Sequence, residues 1–276
     1  MAKTYTIPKL PLGIDLETKE ILKQVNLANK ALAELKGVAH TIPNEGVLIN
    51  SLVIQEAKES SEVENIVTTH DEIFQADLSV SNYAVSSAAK EVMNYREAML
   101  EGFSRVKENM LLTNNIIKNI QEKLEKNKAG FRTSAVTLQN SKQEIVYAPP
   151  KTAAEVEHYM LNLEHFINNP KLSNLDPLIK LAIIHHQFES IHPFYDGNGR
   201  TGRIISVLYL VQNRLLDLPI LYLSRYITRN KADYYKLIQA VRDNDGDIKD
   251  WQNWVMFILK GIEVTSKETI ILINGI

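Results

Sequence analysis

HPFYDGNGRTGR, residues 192–203, lies between two strongly apolar segments of this 276-residue chain. Within twelve residues it contains a histidine, an aspartate, an asparagine between two glycines, and two arginines. Glycines let phosphate oxygens approach the backbone, and arginine side chains bind those oxygens through two parallel hydrogen bonds. The composition therefore predicts a loop that binds a polyphosphate.

The segments on both sides of this loop are predicted to be helices of an all-α core. Before the loop, Asp176 can cap a helix that starts at Pro177, and apolar residues recur at near-helical spacing up to Ile191. After the loop, the segment from Ile204 to Val211 is apolar almost all round, as expected of a central helix. The loop therefore links two core helices.

This placement assigns chemical roles to the loop residues. If the second helix begins near Asn198, unpaired N–H groups and the helix dipole favour an anion at its N-terminus. Asp196 then suits Mg²⁺, which prefers one or two carboxylates together with phosphate oxygens and water. His192 is the candidate general base, since an unperturbed imidazole titrates near neutral pH. The predicted phosphate-binding residues are Gly197, Asn198, Gly199, Arg200, Thr201, Gly202 and Arg203.

The composition of the whole chain is that of an ordinary globular protein. A hydrophobic content of 45% allows a sizeable core, and a net charge of −2 gives no reason to expect direct nucleic-acid binding. The absence of cysteine excludes disulfides and fits the cytoplasm. No secretory signal and no bilayer-spanning apolar run are found, so we expect no membrane partner.

The loop resembles the signature of Fic-domain (Fic/DOC) proteins, H-x-F-x-[D/E]-G-N-G-R-x-x-R. The chain matches it at His192, Phe194, Asp196, Gly197, Asn198, Gly199, Arg200 and Arg203. The resemblance extends over roughly residues 52–262 and implies the all-α Fic fold. It also implies transfer of AMP from ATP, with Mg²⁺, to a Ser, Thr or Tyr hydroxyl of a target protein or of the chain itself.

A second segment, EAKESSEVEN, resembles the inhibitory motif [S/T]-x-x-x-E-[G/N] of Fic proteins. Ser60, Glu64 and Asn65 occupy its fixed positions. A helix predicted over about residues 52–65 puts Ser60 and Glu64 on one face. The resemblance implies that Glu64 pairs with Arg203 and takes the place of the ATP γ-phosphate. The chain would then be autoinhibited and belong to class II, whose inhibitory helix precedes the core.

The resemblance also implies roles for two other sets of residues. The pattern over 131–147 fits a β-hairpin with a polar turn, and in Fic proteins this hairpin is the flap that holds the target by strand addition. Leu138 and Gln139 would lie nearest the nucleotide. Tyr234 and Tyr235 resemble the family's contacts to adenine and ribose, and packing in the core is the alternative for each.

The predicted organisation has three parts. An N-terminal helical region, residues 1–80, carries the inhibitory helix, and the catalytic core with its hairpin spans 81–265. Residues 266–276 are a final helix or the start of a connection. A homodimer is left open.

Three other interpretations fit parts of the same sequence. GNGRTG satisfies G-x-G-x-x-G, with Asp217 where a dinucleotide fold has its ribose-binding acid, but a helix rather than a strand precedes it. Alternatively, Glu64 orients a water molecule that removes AMP from a modified protein. The third interpretation is a non-catalytic nucleotide-binding regulator, which would tolerate loss of His192 because it needs no proton transfer.

Overall fold

The computed structural model describes residues 5–42, 44–77, 85–140 and 142–275, and these residues are mainly helical. The helices are α1 (Lys19–Ala39), α2 (Glu45–Val63), α3 (His70–Asp77), α4 (Ser87–Asn109), α5 (Asn114–Glu125), α6 (Ala153–Asn168), α7 (Pro177–Ile191), α8 (Asn198–Gln212), α9 (Ser224–Arg229), α10 (Lys231–Asp243) and α11 (Ile248–Asn274). A two-stranded sheet pairs β1 (Leu138–Gln139) with β2 (Ile145–Tyr147). The predicted all-α fold with a small hairpin is confirmed.

The helices α7 and α8 form the centre of the molecule. The Asp176 carboxylate accepts a hydrogen bond from the Leu178 N–H at 2.8 Å, and Pro177 is the first helical residue, as the sequence predicts. Every residue over 178–191 and over 200–211 is buried. A helix enclosed on all sides needs a sequence without a solvent-facing stripe, which explains the lack of amphipathic pattern in both segments.

The other helices enclose this pair. The helices α4 and α5 pack on α8, α6 and α11 pack on α7, and α1 lies along α11. The helix α2 is held between α4 and α9, where the buried Glu56 carboxylate accepts hydrogen bonds from Tyr95 Oη and the Ser224 N–H, both at 3.1 Å. One hydrophobic core runs from Tyr5 to Ile273, so the N-terminal helices share their core with the loop-bearing helices.

Several boundaries differ from those predicted. The helix α2 begins at Glu45 and ends at Val63, so Glu64 and Asn65 lie in the turn that follows it. The helix α11 passes without a break through residues 265 and 266, and the predicted division of the chain into three parts stays a prediction. Its buried residues continue to Ile273, and this packing keeps the helix intact.

The hairpin is shorter than the predicted range of 131–147. In its antiparallel ladder Leu138 lies opposite Tyr147, while residues 131–137 form no strand. Tyr147 Oη donates to the Ser190 carbonyl at 2.9 Å, and Gln239 Nε2 donates to the Val146 carbonyl at 3.0 Å. These contacts attach the hairpin to the C-terminal end of α7 and to α10.

Across the described residues, no helix combines the length and hydrophobicity that crossing a membrane requires.

Candidate active site

His192 lies where α7 ends. Its backbone is left-handed, with φ 49° and ψ 61°, and its N–H donates to the Phe188 carbonyl at 2.9 Å. For a residue with a side chain this conformation costs roughly 1–2 kcal/mol, so it requires support from the surrounding structure. The reversal takes the chain out of the helix and leaves the His192 side chain in the wall of a cavity.

The protonation state of His192 differs from the sequence expectation. Burial, together with the nearby cations of Arg242 and Arg132, lowers the pKa of His192 to about 4. An ordinary pKa near neutrality was expected, but sequence spacing does not reveal burial or distant charges. At pH 7 the imidazole is therefore neutral, the form that accepts a proton.

The helix α8 starts at Asn198, as predicted, with Gly197 as its left-handed N-cap at φ 76°. A side chain at Gly197 would collide with the Glu125 carboxylate, so the position requires glycine for both conformation and space. The Gly197 N–H donates to Asp196 Oδ1 at 2.7 Å and is not free, contrary to expectation. The N–H groups of the first turn of α8 lack helical acceptors because of their position and face outward from the helix end.

The Asn198 side chain holds the loop together. Its Oδ1 accepts from the Phe194 N–H and its Nδ2 donates to the Phe194 carbonyl, both at 2.9 Å. Because the Asn198 side chain is occupied within the loop, Asn198 can contact a phosphate only through its backbone N–H.

Arg203 is bound by two residues of the predicted inhibitory motif, Ser60 and Glu64. It is 1% exposed, and its Nε donates to Ser60 Oγ at 2.7 Å. One terminal nitrogen donates to the Ser60 carbonyl at 2.9 Å and to Glu64 Oε1 at 2.8 Å. Burial raises the pKa of Glu64, but the Arg203 charge and hydrogen bond outweigh it, so the net shift is downward. Glu64 is therefore an ionised partner of Arg203.

Asn65 explains why the motif ends in Gly or Asn. It adopts the left-handed conformation at φ 63°, and the next N–H, that of Ile66, donates to the Ser61 carbonyl at 3.0 Å. Asparagine and glycine tolerate this conformation best, and it commonly ends a helix. The Asn65 side chain also accepts from Lys231 Nζ at 2.8 Å. The turn directs Glu64 back over the loop.

Arg200 has partners that the sequence analysis missed. One terminal nitrogen donates to Glu91 at 2.6 Å and the other to Glu125 at 2.8 Å, and the residue is 5% exposed. Both of its terminal nitrogens are thus engaged by carboxylates from α4 and α5, and its contact with phosphate stays a prediction. No local signal reveals these pairs, because the partners lie far apart in the chain.

A cavity of about 350 Å³ lies between the loop and the turn after α2. This volume is within the range of ligand-binding clefts. The residues that line it are Glu64, Ile66, Glu91, His192, Tyr195, Asp196, Gly197, Asn198, Gly199 and Arg200. The structure thus brings to one site the candidate base, the candidate metal ligand, the predicted phosphate-binding loop and the glutamate that is predicted to inhibit.

Two family models match the chain. The Fic/DOC family N-terminal model matches residues 22–104, and the Fic/DOC family model matches residues 111–210, which include the loop. The chain belongs to the Fic/DOC family. The N-terminal match covers the predicted inhibitory segment and is consistent with a class II Fic protein.

Named Fic relatives match part of the chain. A probable protein adenylyltransferase of Aquifex aeolicus is 34% identical over 99 residues, which are 36% of this chain and 29% of that protein. The protein adenylyltransferase fic-1 of Caenorhabditis elegans is 28% identical over 115 residues, 40% of this chain and 21% of that protein. The match thus spans less than a third of the length of either relative.

Solved Fic structures share the fold. A Fic family protein from Desulfovibrio desulfuricans superposes with a TM-score of 0.75 at 23% identity, covering 95% of this chain and 76% of that one. Fic-1 from Caenorhabditis elegans superposes with a TM-score of 0.69 at 17% identity, covering 93% and 73%.

Two of the predicted phosphate ligands belong to the core of this Fic fold. Thr201 is fully buried. A side chain at Gly202 would lie 2.8 Å from a Glu189 carboxylate oxygen and 3.1 Å from the Phe188 ring. Neither residue lines the cavity. Their predicted phosphate contacts stay a prediction.

The two tyrosines of α10 have different environments. Tyr234 is 2% exposed, and its Oη is 2.9 Å from His185 Nε2 in an aromatic cluster with Trp254. Tyr234 is therefore packed in the core, as in the alternative considered for it, and its predicted nucleoside contact stays a prediction. Tyr235 is 44% exposed and stays a candidate nucleoside contact. Adjacent helical residues point in different directions, which separates the two roles.

The flap residues do not line the cavity. Leu138 is half-buried against the core and Gln139 is exposed, both in β1. Their predicted proximity to the nucleotide stays a prediction.

Replacing Glu189 by Gln is expected to reduce the loss of stability between pH 5 and pH 8. Burial raises the pKa of Glu189 to about 7, above its ordinary value of 4.5. Between these values the folded chain binds a proton more tightly than the unfolded chain, so this group contributes stability that is lost as pH rises. Glutamine cannot ionise, so the variant should lose about 1–3 kcal/mol less than wild type over this range.

Urea unfolding of both proteins at the two pH values measures the difference. Glu189 is largely protonated at pH 5, which makes that condition the internal control. Parallel stability curves for wild type and Glu189→Gln would contradict the prediction.

Proposed function

We propose that the chain is a protein adenylyltransferase that transfers AMP from ATP to a Ser, Thr or Tyr hydroxyl of a target protein, and that Glu64 inhibits it. The observation that carries this proposal is the shared cavity of His192, Glu64 and the first turn of α8, with Glu64 2.8 Å from Arg203. The names of the relatives support the same reaction.

The first turn of α8 suits the phosphate chain of ATP. Its backbone N–H groups and the positive end of the helix dipole attract phosphate oxygens. Gly197 and Gly199 line the cavity, and neither has a side chain that would keep an oxygen away from the backbone. ATP and a protein with an accessible hydroxyl are the proposed partners, and a homodimer stays a prediction.

Asp196 is the proposed ligand for Mg²⁺. It is exposed at the cavity, and one carboxylate oxygen, Oδ1, accepts the Gly197 N–H. Within the described ranges no three His, Cys, Asp or Glu side chains converge as a metal centre. A single carboxylate beside phosphates fits Mg²⁺, which keeps water and phosphate oxygens as its other ligands. When bound, Mg²⁺ would neutralise charge on the phosphates.

His192 is the proposed general base. The neutral imidazole takes the proton of the acceptor hydroxyl as that oxygen attacks the α-phosphorus of ATP. A new bond from oxygen to the α-phosphorus forms, the bond to the bridging oxygen breaks, and pyrophosphate leaves with the electron pair. Positioning and charge stabilisation supply the rest of the rate enhancement.

Glu64 inhibits by replacing a phosphate contact. A carboxylate on a guanidinium has the same geometry and charge sign as a phosphate on a guanidinium. With Glu64 in place, two of the three guanidinium nitrogens of Arg203 are hydrogen-bonded to Ser60 and Glu64, and the cavity carries an extra negative charge. Both effects disfavour binding of the ATP γ-phosphate beside Arg203.

Labelling with two forms of ATP tests the reaction type. Purified Glu64→Gly protein is incubated with candidate acceptor proteins and with ATP labelled at either the α- or the γ-phosphate. Transfer of the α-label alone supports adenylylation, whereas transfer of the γ-label would indicate phosphorylation. No transfer of either label, when ATP binding is demonstrated, would overturn the proposal.

A second candidate is hydrolytic removal of AMP from a modified protein. It is favoured by Glu64 and His192 lining the same cavity, where a carboxylate could orient water. Glu64→Gly would then abolish release of AMP from an adenylylated protein.

A further inference from the structure

The segment that precedes the hairpin is joined to the catalytic turn. Residues 131–134, the hairpin stem, lie against residues 191–195, the catalytic turn. The Arg132 N–H donates to the Pro193 carbonyl at 2.8 Å, and the Thr133 N–H donates to Tyr195 Oη at 3.0 Å. The hairpin stem therefore contacts the catalytic turn along its length.

The Arg132 side chain makes the central contacts. Its Nε donates to the His192 carbonyl at 2.7 Å, and one terminal nitrogen donates to the Ile191 carbonyl at 3.2 Å. The other terminal nitrogen donates to the Ser134 carbonyl at 2.8 Å. One side chain thus links the backbone on both sides of the Ile191–His192 bond to the hairpin stem.

Burying the charged Arg132 side chain costs free energy, so its position in the core points to a specific role. Arg132 is 1% exposed, and no carboxylate forms an ion pair with it in the described part of the chain. A buried guanidinium without a counterion is unfavourable unless its hydrogen bonds are satisfied. Here the acceptors are carbonyls at the C-terminal end of α7, where the helix dipole favours a cation. Simple packing would not need a charged group.

We propose that Arg132 is a positioning residue for His192, which holds the Ile191 and His192 carbonyls so that the left-handed backbone keeps the imidazole in one orientation. This inference rests on the proposed function, in which His192 is the general base. The unfavourable conformation at His192 needs support, and Arg132 is the side chain that supplies it at the His192 carbonyl.

Arg242 provides a matched control. It is also buried near His192, and both arginines lower the pKa of His192. Arg242 donates to Ser190 Oγ at 3.1 Å and lies over the Tyr147 ring at 4.2 Å. It therefore resembles Arg132 in charge and burial but does not hold the His192 carbonyl.

The kinetic test compares Arg132→Gln, Arg132→Lys and Arg242→Gln in the Glu64→Gly background. Arg132→Gln should lower kcat by about 10- to 100-fold with the KM for ATP within about twofold, because a small misplacement of the base slows the reaction. Lysine keeps the charge but not all the hydrogen bonds, so it should restore only part of kcat. Arg242→Gln should move the acid limb of the pH–rate profile to higher pH. At pH values above that limb, its kcat should stay within about threefold of the kcat of the parent.

An NMR measurement tests the positioning without activity. The His192 imidazole signals, identified by their loss in His192→Ala, should form one sharp set in the parent and in Arg242→Gln. They should broaden or double in Arg132→Gln. Equal loss of kcat in the two glutamine variants, or one sharp set in Arg132→Gln, would overturn the proposal. A parent that transfers no AMP contradicts the proposed function instead, and the NMR result then decides the role of Arg132.

Discussion

Replacing His192 by Ala in the Glu64→Gly background is expected to lower the rate of AMP transfer by about 10²- to 10⁴-fold, the usual contribution of a general base. The loss should fall on kcat. The first turn of α8, which is proposed to bind the phosphates, begins six residues later and is held by the Asn198 side chain. Single-turnover transfer of α-label measures the rate, and binding of a non-hydrolysable ATP analogue tests the site.

His158→Ala is the matched control, since it removes an exposed histidine of α6. Its rate should equal that of the Glu64→Gly parent. A chain that keeps its activity without His192 would exclude the proposed base and favour a nucleotide-binding regulator.

The pH profile of the parent belongs to the same prediction. The pKa of His192 is lowered to about 4, mainly by burial and then by Arg242 and Arg132. The imidazole accepts a proton only above its pKa, so the rate should fall as pH decreases through about 4. An ordinary histidine would lose activity near pH 6.5.

Replacing Glu64 by Gly is expected to raise AMP transfer by about 10- to 100-fold over wild type. The variant removes a charge-assisted hydrogen bond of about 1.5–3 kcal/mol that ATP must otherwise displace from Arg203. Glu64 lies beyond the last residue of α2, so glycine there does not interrupt the helix. The anchors of α2 at Glu56 and Ser60 are left in place.

Two further variants test whether the charge of Glu64 is responsible. Glu64→Gln keeps the shape and a hydrogen-bond acceptor but loses the charge, so it should activate less than glycine. Glu62→Gln removes a carboxylate two residues earlier that does not contact Arg203, and it should behave as wild type. If Glu64→Gly transfers AMP only as fast as wild type, Glu64 is not the inhibitory contact, and the carboxylates on Arg200 become the first candidates.

Much of the loop followed from local sequence. The cap at Asp176 and the helix starts at Pro177 and Asn198 depend on neighbouring residues alone. Capping and backbone preferences act over a few residues, so a sequence pattern carries them. The Glu64–Arg203 pair was available only through the family resemblance, since these residues are 139 positions apart.

The sequence by itself determined the all-α class, the two buried central helices and the loop between them, because these follow from local hydrogen bonding and hydrophobic periodicity. The tertiary structure alone decided that Arg200 is held by Glu91 and Glu125, that Tyr234 is in the core, and that Arg132 holds the carbonyls beside His192. Each of these depends on which helices pack together, and burial then sets charge partners and pKa values that no spacing of residues along the chain records.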